Sequence, residues 1–144
     1  VLLVAGARVD SRDDISDTPL HYAAREGYFE IYDLLRAAYR GADPYNTLGL
    51  TPFHAACETD QPEFVRKFIE KYPLDARRRT TSSLSTGLHL AVQAEAIDTV
   101  EVILGTDVGM FQLESLDVKG KTPFVWAFIM ELTDIMSQLE GAGA

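Results

Sequence analysis

The sequence predicts an all-α solenoid of stacked helical hairpins, and three observations support this class. Each unit carries two apolar segments at helical spacing, and glycine-containing turns separate the units. A short motif that begins with threonine occurs four times, with successive copies 33, 35 and 36 residues apart: Thr18-Pro19-Leu20-His21, Thr51-Pro52-Phe53-His54, Thr86-Gly87-Leu88-His89 and Thr122-Pro123-Phe124-Val125. A unit of this length cannot bury its apolar face alone, so consecutive units must stack on one another.

The first helix of each unit is predicted to begin at its threonine. A threonine hydroxyl can accept from free amides of the first helical turn, and proline is tolerated at the next position, where its missing N–H has no partner to lose. Five residues after the threonine, every unit has a small side chain that lets neighbouring helices approach closely: Ala23, Ala56, Ala91 and Ala127.

A second amphipathic helix follows in each unit, as Ile31, Tyr32 and Leu35 illustrate in the first. Gly27 supplies the break between the two helices. The loops between units contain glycines such as Gly49, placed where a tight turn needs a positive φ. These loops are therefore expected to project as fingers from one edge of the stack.

The motifs resemble those of the ankyrin repeat family. The resemblance implies stacked helix pairs with β-hairpin-like finger loops that bind other proteins. It places a single domain over residues 1–144, excised from a longer array, with a truncated repeat at 1–12 and successive repeats at 13–45, 46–80, 81–116 and 117–144. Because Leu84 occupies a family glycine position and Gly87 a family proline position, we expect the third finger to be irregular or mobile.

Composition narrows the classes of partner. The 144 residues, 47% hydrophobic, suit one ordinary domain. Thirteen Lys and Arg against 22 Asp and Glu give a net charge of −9, which repels nucleic acid and anionic membranes. The longest apolar run, residues 124–130, is far shorter than the roughly 20 residues of a membrane span. We expect a monomeric domain that acts inside the cell, in the cytoplasm or the nucleus.

The sequence contains few combinations of residues that could support catalysis or metal binding. We therefore predict that the protein is not an enzyme and has no cofactor and no metal site. All three histidines lie three residues after a helix-opening threonine, which favours a structural role. On successive units they would also be too far apart to share one ion. His54 and Cys57 could be interpreted as a base and a nucleophile. The positions that correspond to Cys57 in the other units are core types, which favours a buried, unreactive thiol.

The resemblance also implies where a partner binds, because family ligands contact the finger tips and the exposed end of each first helix. The corresponding residues are Asp14, Ile15, Asp17, Arg25, Glu26, Thr47, Leu48, Leu50, Glu58, Thr59, Val118, Lys119 and Lys121. Among them Ile15, Leu48 and Leu50 are predicted to form an apolar hot spot with an acidic rim. The alternative is that isolated exposed aliphatic side chains need no partner.

The basic segment Arg77-Arg78-Arg79 precedes a run of hydroxyl residues in a predicted loop. Thr80 and Ser82 are candidate phosphorylation sites, since a phosphate there would lie beside three arginines. A solvated charged loop is the alternative interpretation.

These observations together favour a noncatalytic module for protein–protein interaction. A preformed surface loses little conformational entropy on docking, and its acidic character suits a partner with a basic or mixed-charge patch. The alternative function is that of an architectural spacer inside a larger signalling, sensor or channel protein.

Overall fold

Four helix pairs stack in chain order in the computed structural model, which describes residues 10–39 and 41–144. The pairs are α1 (Pro19–Arg25) with α2 (Phe29–Ala38), α3 (Pro52–Glu58) with α4 (Pro62–Lys71), α5 (Gly87–Gln93) with α6 (Ile97–Leu104), and α8 (Pro123–Ile129) with α9 (Thr133–Gly141). A 3₁₀ turn spans Asp75–Arg77, and a further helix, α7, spans Asp107–Gln112. These ranges contain no strand. The predicted all-α solenoid is confirmed.

The stack has two helical layers. The first helices α1, α3, α5 and α8 pack on one another in order, and the second helices α2, α4, α6 and α9 do the same. No helix in the described ranges is both long and apolar enough to cross a bilayer. The predicted truncated repeat at 1–12 lies outside the described residues except for its last three, and the repeat boundaries stay a prediction.

Threonine begins the first helix of every pair, as the motif predicts. The hydroxyl oxygens of Thr51, Thr86 and Thr122 each accept a hydrogen bond from the backbone N–H three residues ahead. Close packing explains why the third unit has Gly87 where the other units have proline. A Cβ built there would lie 2.8 Å from the Phe53 ring and 3.0 Å from Cys57 Sγ, so α5 approaches α3 more closely than any larger residue allows.

The core between the first two pairs is aromatic. Tyr32, Phe53, Phe64 and Phe68 are almost completely buried, with ring centroids 4.7 Å apart for Phe53 and Phe68 and 5.1 Å apart for Tyr32 and Phe64. Such pairs stabilise a fold beyond their buried area. The four small residues predicted on the first helices are also buried, which confirms close packing at that position.

Helix α7 is not predicted by the sequence pattern. Gly109 lies so close to the end of α6 that an added Cβ would be 2.2 Å from the Ile103 carbonyl oxygen. The buried side chain of Gln112 accepts from the backbone N–H of Leu88 at 3.0 Å and donates to the carbonyl of Ala76 at 2.9 Å. Helix α7 therefore ties α5 to the 3₁₀ turn.

Candidate functional site

Four fingers precede the four first helices, and each closes on itself by a backbone hydrogen bond of 2.9–3.0 Å. Finger 1 comprises residues 13–17, finger 2 residues 46–50, finger 3 residues 80–85 and finger 4 residues 117–121. The side-chain oxygen of the first residue of each finger also accepts backbone N–H groups from inside the finger, two in fingers 1, 2 and 4 and one in finger 3. The fingers are thus closed turns with a shared internal design.

Finger 3 keeps this design although it is one residue longer than the others. Leu84 adopts φ 54°, close to φ 78° at Gly49 and φ 71° at Gly120 in the equivalent positions. The closing bond from Thr80 N–H to the Ser85 carbonyl is present at 2.9 Å. The irregularity of the third finger is limited to this extra residue, because Leu84 accepts the left-handed conformation that the turn requires, and the expected mobility of the finger stays a prediction.

Neighbouring fingers are joined by hydrogen bonds between their backbones. Thr47 N–H donates to the Ile15 carbonyl at 2.9 Å. The corresponding bonds join Thr81 to Gly49 at 3.1 Å and Val118 to Ser83 at 2.8 Å. The four fingers therefore form one continuous row, which we call the finger row.

The histidines attach this row to the helices. Nε2 of His21 and His89 donates to the carbonyls of Leu50 in finger 2 and Lys121 in finger 4, and Nε2 of His54 donates to the carbonyl of Arg78, two residues before finger 3, at 2.8–2.9 Å. Each Nδ1 accepts the N–H of the helix-opening threonine, so the proton lies on Nε2 and the ring is neutral. Burial lowers the pKa of all three, to about 4 for His54. Their predicted structural role is confirmed.

Neither His54 nor Cys57 is placed for catalysis. Both ring nitrogens of His54 are occupied by backbone groups. Cys57 is fully buried, and its burial raises the pKa of the thiol far above the ordinary value. Within residues 10–39 and 41–144, no cluster of histidine, cysteine and carboxylate side chains has the arrangement of a metal site.

Most of the predicted binding residues lie on the finger row or at the adjacent ends of the first helices. Ile15, Leu48 and Val118 are exposed at the finger tips, by 38%, 53% and 59%. The other exposed members are Asp14, Glu26, Thr47, Thr59 and Lys119, and the half-buried ones are Arg25, Glu58 and Lys121. Burial raises the pKa of Glu58.

The predicted exposure of two members is wrong. Leu50 is only 5% exposed, because its side chain belongs to the core and its carbonyl receives the His21 bond. Asp17 is 2% exposed, because its carboxylate is ion-paired with Arg25 and accepts a hydrogen bond from Asn46 Nδ2 at 2.8 Å. Both residues hold fingers 1 and 2 in place rather than facing a partner.

The two phosphorylation candidates differ in access. Thr80 is 1% exposed, and its hydroxyl oxygen accepts from Ser85 N–H at 3.0 Å, so this hydroxyl is inaccessible in the folded domain and its modification stays a prediction. Ser82 is exposed, and its hydroxyl donates to the Leu48 carbonyl at 2.9 Å.

The arginines of the same segment are partly structural. Arg78 donates to the Asp43 carbonyl at 2.9 Å, and Arg79 donates to the carbonyls of Leu84 and Leu116 at 3.0 and 2.6 Å. The segment is therefore held against the stack, which a freely solvated loop would not be.

Three residues on or beside the finger row are not among the binding residues predicted from the sequence. Leu84 is 46% exposed at the tip of finger 3, and the leucine in a glycine position was the signal for it. Tyr22 and Trp126 occupy the same position in α1 and α8, four residues after the threonine. They donate to the carboxylates of Asp13 and Asp117, respectively, at the base of their fingers. The sequence gives no signal for this shared contact, because it depends on how each finger folds back against its helix.

The fold and the finger row together define a helical-repeat scaffold that presents a row of rigid loops. Residues 37–112 match the family described as Ankyrin repeats (3 copies), and residues 16–47 match Ankyrin repeat. The chain belongs to the ankyrin repeat family, whose members are generally noncatalytic modules for protein interaction.

Two curated relatives fit this assignment. Human B-cell lymphoma 3 protein is 32% identical over 130 residues, which cover 85% of this chain and 27% of the relative. The Nuclear factor NF-kappa-B p105 subunit of Gallus gallus is 30% identical over 146 residues, which cover 99% of this chain and 14% of the relative. The chain thus spans about a quarter and about a seventh of the lengths of these relatives.

Proposed function

We propose that this domain binds another protein through the finger row and the neighbouring ends of its first helices. The observation that carries the proposal is the combination of rigid tips and exposed apolar side chains. Ile15, Leu48, Leu84 and Val118 are each exposed, and they lie on fingers that are joined to one another by backbone hydrogen bonds. Apolar groups on a preorganised surface bind without a large ordering cost.

The apolar character of these tip residues is not explained by a need to fill the core of the domain. The core side chain of finger 2 is Leu50, so Leu48 is free of that role. A rim of charged groups lies nearby, including Asp14 and Glu26 on one side and Lys119 on the other. An apolar centre with a polar rim is the usual anatomy of a protein interface.

The predicted oligomeric state, cellular location and partner chemistry are also part of this proposal. We take the domain to be monomeric and to act inside the cell, and the nuclear factor subunit among the relatives supports an intracellular location. The partner is expected to carry a basic or mixed-charge patch, since the chain has a net charge of −9. We propose neither nucleic acid nor membrane as a target.

The test compares two double substitutions in a quantitative capture experiment. Leu48→Asp with Val118→Asp charges two finger tips, whereas Leu34→Asp with Leu74→Asp places the same charges on exposed leucines of the second-helix side. We expect the finger variant alone to lose the proteins that the unaltered domain captures, while circular dichroism stays unchanged for both. Equal capture by all three proteins would favour the architectural spacer instead.

A further inference from the structure

Charge is distributed unevenly along the finger row. Finger 1 carries three aspartates, fingers 2 and 3 contain no charged residue, and finger 4 carries Lys119 and Lys121 with a single aspartate. Because the backbone bonds join the fingers in the order 1 to 4, this order in sequence is also an order in space. The row therefore runs from an acidic end, through an uncharged middle, to a basic end.

The acidic end retains carboxylates for a partner. Asp17 is already ion-paired with Arg25, and Asp13 accepts hydrogen bonds from Tyr22 and from two backbone N–H groups. Asp14 and Glu26 are exposed, with no ion pair to any described residue. Two cations adjoin this finger: Arg12 donates to the backbone carbonyls of residues 16 and 45, and Arg25 is ion-paired with Asp17.

The basic end is built around Trp126. Nζ of Lys119 and Nζ of Lys121 lie 5.5 and 5.7 Å from the centre of its ring, so both amines contact the Trp126 indole. Neither amine has a carboxylate within ion-pair distance in the described part of the chain. The carboxylate of Asp117 is satisfied by the Trp126 indole N–H at 2.7 Å and by two backbone N–H groups at 2.9 Å.

The length of the row sets the length of the ligand. Stacked helices are about 8 to 10 Å apart, so three steps from finger 1 to finger 4 span roughly 24 to 30 Å. An extended chain advances about 3.3 Å per residue, which makes this distance roughly seven to nine residues. Tyr22 at one end and Trp126 at the other bound this span with aromatic rings.

We propose that the finger row recognises an extended segment of a protein partner, about nine residues long and bipolar in charge. Its cationic end faces Asp14 and Glu26, its apolar middle lies over Leu48 and Leu84, and its carboxylates face Lys119 and Lys121. The inference rests on the proposed function, since it specifies which partner chemistry that surface selects. Opposite charges at the two ends also fix the direction in which the segment lies.

The test uses synthetic nine-residue peptides labelled with fluorescein, measured by fluorescence anisotropy at low salt. Two bipolar peptides carry three lysines, three leucines and three glutamates in opposite chain orders, and a third has the same composition with the charges interleaved. The row variant is Lys119→Glu with Lys121→Glu. The control, Lys67→Glu with Lys71→Glu, makes the same change of charge on the exposed face of α4, where it also removes the ion pairs with Glu30 and Asp33, so circular dichroism checks that this variant is folded.

We expect at least one bipolar peptide to bind the unaltered protein about tenfold more tightly than the interleaved peptide, because each exposed charge pair contributes a factor of a few at low salt. The row variant should lose this preference and the α4 variant should keep it. The inference fails if the interleaved peptide binds equally well, if no peptide binds, or if the row variant keeps the preference. In each of these cases, loss of capture in the Leu48→Asp, Val118→Asp protein would still support the proposed function.

Discussion

Acidification from pH 7 to pH 5 is expected to destabilise the fold through His54. Both ring nitrogens are engaged, with Thr51 N–H donating to Nδ1 at 3.0 Å and Nε2 donating to the Arg78 carbonyl at 2.8 Å, so protonation of Nδ1 breaks a buried bond. Burial lowers the pKa of His54 to about 4, whereas the unfolded value is about 6.5. Its contribution to stability is complete above about pH 6.5 and is lost as the pH falls towards 4, because the unfolded chain binds the proton first. Proton linkage gives a loss of about 2 kcal/mol between pH 7 and pH 5 from this one side chain.

The assay is urea unfolding followed by circular dichroism at pH 7, 6 and 5, for the unaltered protein and for His54→Gln, which does not titrate. The unaltered protein should lose about 2 kcal/mol more of its unfolding free energy than the variant over this interval. Burial also lowers the pKa of His21 and His89. Burial raises the pKa of Glu58, so the contribution of Glu58 to folding stability falls as the pH rises. Those groups are present in both proteins, so they cancel in the comparison. Parallel pH profiles for the two proteins would refute the reasoning.

Three further substitutions separate the fold from the finger row. Gly109→Ala should lower the unfolding free energy by about 2 to 3 kcal/mol in urea titrations, because its Cβ would overlap the Ile103 carbonyl. Gln112→Leu should lower it by about 2 to 4 kcal/mol in the same assay, because it leaves two buried backbone groups without partners. Leu84→Gly should instead raise it by about 0.5 to 1 kcal/mol by relieving a left-handed backbone, yet weaken peptide binding in anisotropy measurements. A Gly109→Ala or Gln112→Leu protein with unchanged stability, or a Leu84→Gly protein with unchanged binding, would contradict these expectations.

The repeated parts of the fold could be predicted because each depends on residues close together in the chain. Thr51 caps the helix that begins one residue later, and His54 meets the same threonine one helical turn away. The spacing of such motifs then predicts the stacking, since every unit leaves the same face uncovered. For the same reason the structural role of the histidines followed from position alone.

The finger tips could be predicted only in part, because the burial of a loop residue depends on contacts from other units. Leu48 and Leu50 are two residues apart and equally apolar, but the second is enclosed by the stack and the first is exposed. Asp17 looks like a surface carboxylate until Asn46, 29 residues away, is seen to donate to it. Helix α7 was missed because six residues are too few to show a helical period, and its position depends on the distant partners of Gln112.

Backbone strain distinguishes Leu84 from the other exposed aliphatic residues. Five described residues other than glycine have a positive φ, and Leu84 is the only apolar one among Ser16, Asp60, Leu84, Glu95 and Glu131. The left-handed conformation costs a residue with a Cβ about 1 kcal/mol, and glycine occupies the equivalent position at Gly49 and Gly120. The side chain of Leu84 is nearly half exposed, so burial within the domain offsets only part of that cost. Under the proposed function, a partner that covers Leu84 supplies the remaining stabilisation, so we expect its replacement by glycine to stabilise the free domain and weaken the complex.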